Sequence, residues 1–313
     1  MSALRLPRVA APKVVDRDPI SRSTRQPGLV HFVHPLGSVA FTAPRGSPLT
    51  LGAPGCSLDV QAVVAEAFLA QHPDASFFYV TGEQVAAMQL ATHRAIPIGR
   101  DVVVPLPLQQ PPDLARTALR KATKQGLTLE EPADLRPLAA QLREVNAAAL
   151  AAREIKEELR FLNRPCEFDG ETDARTFVVR QRGELIGFVV LDAYVGHAGR
   201  GYLLNLFRLK PTKVWNVYQA VVLRLCELLA AEGVAELSLG FVPLAVAPEE
   251  AELSWFDRLQ LRLLRRAAAR SSYLSRLAII KHGFEARQVT RFLVTRRTLI
   301  AEDVRSFVQA MTG

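Results

Sequence analysis

GYLLNLFRLKPTKVWNVYQAVVLRLCELLAAEGVAELSLGFVPL, residues Gly201–Leu244, is the stretch on which the reading of the fold turns. GYLLNLFRL (Gly201–Leu209) predicts a strand. VWNVYQAVVLRLCELLAAEG then carries apolar residues at helical spacing and stops at Gly233, a natural C-cap, before ELSLGFVPL resumes strand character. Strand, helix, strand is the order of an α/β unit. Immediately upstream, TFVVRQRGELIGFVVLDAYV (Thr176–Val195) places Arg182-Gly183-Glu184 between two β-branched runs and predicts a hairpin. Asp192 and Glu184 on that hairpin are expected to face solvent. Gly196-His197-Ala198-Gly199-Arg200-Gly201 precedes a strand instead of opening a helix, so it reads as a hairpin connection and not as a phosphate loop.

Farther out the pattern repeats. Between Gly28 and Leu108 the bursts LVHFV, SVAFTA, SFFYV and DVVVPLPL predict strands around a helix in Ser57–Gln71. A proline-rich hinge, Leu106–Leu114, leads to the basic segment ARTALRKATKQG, whose Gly126 predicts a helix end, and then to TLEEP and an alanine-rich helix over Leu135–Glu157. The expected architecture is therefore α/β (α+β): a flexible basic tail over residues 1–27, an N-terminal lobe over 28–130, and a C-terminal lobe over 131–313 that carries the functional site.

The 313 residues are 49% hydrophobic and 22% charged, which excludes a wholly disordered chain and a collagenous fibre. Lys plus Arg number 39 against 31 acids, a net charge of +8, so the expected partner is anionic. Cys56, Cys166 and Cys226 are far apart, which excludes a disulfide framework and a zinc–cysteine cluster and points to reduced thiols in a cytosolic protein. His31 and His34 lack further ligands at metal spacing, and no metal is expected. No apolar stretch is long enough for a transmembrane helix, and the arginine-rich N-terminus lacks the apolar core of a secretory signal.

Asn205-Leu206-Phe207-Arg208 and Leu239-Gly240-Phe241-Val242-Pro243-Leu244 resemble the Asp-Leu-Met-Arg strand and the Leu-Gly-Met-Ala-Pro-Leu strand end of the phosphatidylglycerol lysyltransferases, the multiple peptide resistance factor family. Leu119–Leu127 resembles that family's basic helix. Ile280-Lys281-His282-Gly283-Phe284 with Arg291-Phe292 resembles its Phe-Lys-x-Lys-Phe and Arg-Tyr elements. The resemblance runs from about Gly28 to Ile300. It implies tandem lobes of the Gcn5-related acetyltransferase (GNAT) type that move an amino acid from aminoacyl-tRNA to a lipid head group. Asn205, Gly283 and Gln288 depart from the family's aspartate, lysine and tryptophan, and the family's membrane-embedded flippase has no counterpart in these residues. The transferred amino acid and the acceptor therefore stay open.

Transfer from an already activated ester needs a positioned acceptor, a proton acceptor and donors for the developing oxyanion, not a covalent nucleophile. Arg208, at a strand end, is a candidate to grip a phosphate or carboxylate bidentately, the alternative being an Arg on a solvated edge. Lys281 is a candidate to hold the terminal adenosine phosphates or stabilise the leaving ribose oxygen. Asn205 can hydrogen-bond a substrate ammonium without neutralising it. Arg291 follows from the resemblance as a substrate-binding residue. His197 and His282, near these motifs, are candidate general bases in the substrate site.

Arg258–Arg276 holds six arginines and no acid. Arg258, Arg262, Arg265, Arg266 and Arg270 are expected to line one helical face, with Leu259, Leu263 and Leu264 on another, as a surface for the tRNA acceptor stem or an anionic membrane, the alternative being an ordinary solvated helix. The segment between Leu209 and Val217, KPTKVWN, has no glycine where an acetyltransferase cradles its cofactor, so CoA is disfavoured and no cofactor is expected beyond aminoacyl-tRNA as donor substrate. The resulting expectation is a cytoplasmic aminoacyltransferase, peripheral to the inner membrane face if its acceptor is a phospholipid. The alternatives are an acyl-CoA-dependent N-acyltransferase and a non-catalytic relative that binds tRNA or membrane.

Overall fold

The computed structural model of the chain describes residues 18–153, 156, 158–168, 174–269, 281, 283–284 and 286–312. The strands are β1 (Val30–His34), β2 (Gly37–Thr42), β3 (Leu49–Leu51), β4 (Ser76–Val80), β5 (Arg94–Pro105), β6 (Leu127–Glu130), β7 (Arg175–Gln181), β8 (Glu184–Gly196), β9 (Gly199–Leu209), β10 (Glu236–Pro243) and β11 (Arg287–Thr295). The helices are α1 (Gln61–Gln71), α2 (Gly82–Met88), α3 (Asp113–Lys124), α4 (Ala139–Ala151), α5 (Val217–Ala231), α6 (Trp255–Ala268) and α7 (Ile300–Thr312).

All of these strands belong to one mixed sheet, in the order β1-β2-β3-β4-β11-β5-β10-β9-β8-β7-β6. Two crossovers give it parallel pairs. β3 passes through α1 to β4 beside it, and β9 passes through α5 to β10, so the two halves repeat the same hairpin, strand, helix, strand order. The halves then exchange strands. β11 pairs with β4 of the first half, β5 pairs with β10 of the second, and β5 and β11 join along the middle of the sheet.

Local chemistry explains the elements the sequence already indicates. Arg182 and Gly183 both take positive φ, +50° and +87°, the geometry a two-residue hairpin turn between β7 and β8 requires. His197 and Ala198 form the two-residue loop of the β8–β9 hairpin, without positive φ at either. The alanines of α3, Ala115, Ala118 and Ala122, are buried and pack with Val221, Leu225 and Leu229 of α5 on one face of β7–β10. Leu142 and Val145 of α4 cover Phe188, Val190 and Leu206 of β8 and β9 in a separate cluster. Near β4 and β11, Val64 and Phe68 of α1 pack on Phe77 and Val294, whereas Leu261 of α6 and Ile300 of α7 join Phe78, Ile96 and Leu293.

One expectation is corrected at the N-terminus. Residues 18–26 are not a flexible tail: Ile20, Ser23 and Gln26 are buried, and Gln26 donates to the Phe161 carbonyl at 2.6 Å while accepting from the Phe161 amide at 3.0 Å. Ser23 donates to the Leu162 carbonyl at 2.9 Å. Residues 18–26 and 158–168 thus run over the sheet together. An apolar Ile20 and backbone-satisfying Ser and Gln side chains hold there what a count of arginines alone leaves in solvent.

Candidate functional site

β9 and β10 are paired only over Gly201–Leu203 with Glu236–Ser238. Beyond that point β10 stays with β5, to which it is paired along its whole length (Glu236–Pro243 against Pro105–Gly99), while β9 continues beside β8 to Leu209. The divergence leaves a notch inside the sheet. Asn205 and Arg208 lie on β9 beyond the split, and Lys281 donates from Nζ to the Phe241 carbonyl of β10 at 3.0 Å. Lys281 is buried, and burial pulls its ammonium down to about 8, with the negative charge of Asp101 opposing the shift.

Arg208 is not on a solvated edge. Its side chain is 3% exposed, donating from Nε to Asn146 Oδ1 at 2.8 Å and from Nη2 to Glu158 Oε2 at 2.7 Å. Asn146 and Glu158 line a hollow of about 420 Å³ together with Cys166 and Phe168. Burial pushes the Cys166 thiol up to about 12, so it is no thiolate nucleophile at neutral pH. The Asn205 amide is engaged at both ends by one residue, accepting from the Arg164 backbone N–H at 3.1 Å and donating to the Arg164 carbonyl at 3.2 Å. The Arg164 guanidinium in turn meets Asp192 at 2.7 Å. Asp192 is wholly buried, so its expected solvent-facing position is corrected; Glu184 is exposed as expected. The β8 side chain of Asp192 points under residues 158–168, a covering segment that hairpin patterning does not reveal.

Arg291 on β11 is buried between two carboxylates, with Nε on Asp101 Oδ2 at 2.8 Å and Nη1 on Asp18 Oδ2 at 2.8 Å, and its guanidinium lies 4.2 Å from the Tyr79 ring centre. Tyr79, at φ +69°, donates its hydroxyl to Asp101 Oδ1 at 2.6 Å. Burial opposes the Arg291 charge, but the two carboxylates outweigh it and hold the group far above its ordinary value. Arg291 and Asp18 form part of the wall of a cleft of about 1060 Å³ that also includes His197, Glu236, Glu249 and Arg287. Glu236 there accepts from the Tyr194 hydroxyl at 2.7 Å and from Arg287 at 3.2 Å, and Thr290 donates to Glu249 at 3.1 Å. His197 stands exposed on the rim.

The sequence-derived candidates thus fall into two neighbourhoods. Lys281, Asp101 and Arg291 are electrostatically linked behind the large cleft, and Asn205 and Arg208 lie past the strand split beside residues 158–168. Their partners Asp18, Asp101, Asn146, Glu158 and Arg164 are absent from the sequence reading. The only signal for them was the general demand that buried charges be paired, which names no residue. Of the arginine face on α6, Arg258, Arg262 and Arg266 are exposed, but Arg265 is not part of it: it points inward, donating to the Leu244 carbonyl at 2.8 Å and to Glu250 at 2.8 Å. Leu259 and Leu263 are exposed as well, and the buried face is Asp257 and Leu261. Arg270 and His282 lie outside the described residues.

Among the described residues no cluster of His, Cys, Asp and Glu is arranged to hold a metal ion, and no helix is long and apolar enough to cross a membrane. Residues 24–295 match the family model described as phosphatidylglycerol lysyltransferase, C-terminal. No curated protein matches the chain. Among solved structures, it resembles the C-terminal domain of a protein assigned as a lysylphosphatidylglycerol synthetase from Agrobacterium fabrum, at 16% identity and TM-score 0.79 over 95% of this chain and 93% of that one. L-PGS from Bacillus licheniformis follows at 16% identity and TM-score 0.73, covering 91% and 90%. FemX aligns at 8% identity and TM-score 0.54 over 89% and 91%. At these identities the likeness is one of fold.

Proposed function

The chain belongs to the phosphatidylglycerol lysyltransferase C-terminal family and is a transferase of the acyl and aminoacyl class; from that premise we propose that it takes an amino acid from aminoacyl-tRNA and passes it to a phospholipid head group or a small acceptor. The observation that carries this reading is Lys281: a buried amine, brought down to about 8, hydrogen-bonded to a strand carbonyl at a notch in the sheet. An amine of that kind changes protonation near the pH at which it must work.

In the proposed reaction the acceptor hydroxyl oxygen attacks the ester carbonyl carbon, and the bond from that carbon to the ribose oxygen breaks as the tetrahedral intermediate collapses. The proton lost by the acceptor passes to neutral Lys281 and from there to the departing ribose oxygen, so no net proton is consumed. Asp101 holds Lys281 and Arg291 in one electrostatic unit. Arg208 fixes the strand beside the notch and reads a phosphate only if a substrate displaces Glu158. The large cleft has room for a charged adenosine terminus, and Asp18, Glu236 and Glu249 in its wall suit the ammonium of an aminoacyl group.

The test is transfer from radiolabelled aminoacyl-tRNA pools to phosphatidylglycerol and to small hydroxyl or amine acceptors. Transfer is expected, with a rate that rises toward a plateau above about pH 8 as Lys281 loses its proton. Lys281→Met is expected to lower the rate by about a hundredfold or more and to abolish that limb. Label that leaves tRNA for no acceptor overturns the reading, and label drawn from acyl-CoA instead replaces it with CoA-dependent acyl transfer.

A further inference from the structure

The outward face of α6 carries an apolar and a basic stripe side by side. Asp257 and Leu261 are its buried residues, and Arg265 is drawn back to Leu244 and Glu250. The opposite side of the same helix exposes Trp255 at 71%, Leu259 at 41% and Leu263 at 54%, successive turns of one stripe. Arg258, Arg262 and Arg266 form a second exposed stripe directly beside it. The only acid in α6 is Asp257, which is buried and paired to Arg94, so no carboxylate neutralises the face from within the helix.

We infer that this face is a docking surface for an anionic lipid bilayer, lying in the plane of the interface with Trp255, Leu259 and Leu263 among the upper acyl chains and the three arginines against head-group phosphates. Charge complementarity selects the occupant. A nucleic acid would use the arginines but leave three large apolar side chains in water, whereas an interfacial helix uses both stripes at once. Tryptophan at the edge of the apolar stripe suits the boundary between head groups and acyl chains. The helix is also well placed to align the site with a membrane. Arg265 bonds it to Leu244, the residue just past β10, the strand whose Phe241 carbonyl receives Lys281. The inference concerns attachment and does not depend on the transfer chemistry.

Vesicle binding by the full chain tests it. The chain is expected to co-sediment with 1:1 phosphatidylglycerol–phosphatidylcholine vesicles at low salt and not with phosphatidylcholine alone. In a Trp215→Phe background, Trp255 emission is expected to shift to the blue on binding. The triple variant R258Q/R262Q/R266Q should lose about a hundredfold in partitioning, near one kcal/mol per basic residue. The triple variant W255S/L259S/L263S should lose at least tenfold while keeping its unfolding temperature and its affinity for tRNA, since all three side chains are exposed. Vesicle binding unchanged in both variants overturns the inference. So does Trp255 emission already blue without vesicles, which would mean the face is covered by protein, and so does an arginine variant that loses tRNA while the apolar variant keeps full vesicle binding. Each of these failures leaves transfer from aminoacyl-tRNA to a soluble acceptor untouched.

Discussion

Asp101 has no contact with water and serves three groups at once: the Tyr79 hydroxyl, the Arg291 guanidinium and, through space, the Lys281 ammonium. Removing one partner from such a buried pair commonly costs about 3–5 kcal/mol, because the charge left behind cannot rehydrate. Lys281 stands differently. Among the described residues no carboxylate is in hydrogen-bonding contact with it, so its charge is a net burden on the fold. Its folded value of about 8 lies below the ordinary 10.5, so between those values the unfolded chain keeps a proton the folded one has released. Raising the pH through this window therefore favours the folded state. Lys281→Met is accordingly expected to stabilise the protein below pH 8 by up to about 3 kcal/mol, a margin that shrinks to nothing by about pH 10.5. Chemical denaturation of both proteins across that range checks the sign: a margin that grows with pH refutes it. Asn205 illustrates the opposite economy, since its amide both accepts from and donates to the Arg164 backbone. A carboxylate in its place would face the Arg164 carbonyl without a proton to offer, so the family's aspartate would need a different covering segment.

The joint between β5 and β10 depends on one glycine. At Gly99, φ +154°, a Cβ would lie 2.4 Å from the Val242 carbonyl oxygen and 2.7 Å from the Phe241 ring, which crosses that spot to reach Tyr79. Neither neighbour can retreat, since one is strand backbone and the other a packed aromatic. Gly99→Ala is expected to destabilise by about 3 kcal/mol or more and to disturb the carbonyl that Lys281 holds, measurable as a fall in unfolding temperature together with lost transfer. The hairpins, α3 and α5 were legible because turn residues and helical caps act over two to four residues. α6 was legible as a helix but not in its orientation. Six arginines suggest a wholly basic face, yet burial of Asp257 and Leu261 and the pairing of Arg265 with Glu250 set which side looks outward. The short β3 and α2 were invisible because three and seven residues carry too little periodicity, and β11 beyond its Arg-Phe motif because its partners β4 and β5 are far away in sequence.

Two halves with the same internal order are joined by exchange, each completing its sheet with a strand from the other, so that β5 and β11 seal the centre. Each half alone would present a long unpaired edge where its borrowed strand belongs. Fragments 28–130 and 131–313 are therefore expected to remain unfolded apart, and the intact chain to unfold in a single transition by both far- and near-ultraviolet circular dichroism; a stable isolated fragment with native dispersion would refute this. The exchange also places Arg291 of β11 next to Asp101 of β5, although 190 residues separate them. Composition, turn chemistry and periodicity on their own determined a basic α/β chain of two similar halves, most of its strands and helices, and, by resemblance, the positions of Asn205, Arg208, Lys281 and Arg291. Only the tertiary structure decided that these are buried, that Asp18, Glu158 and Arg164 meet them, and that the halves share strands. Local propensity acts within a few residues, whereas the pairing of buried charges and sheet edges is settled by which distant segments come to lie side by side.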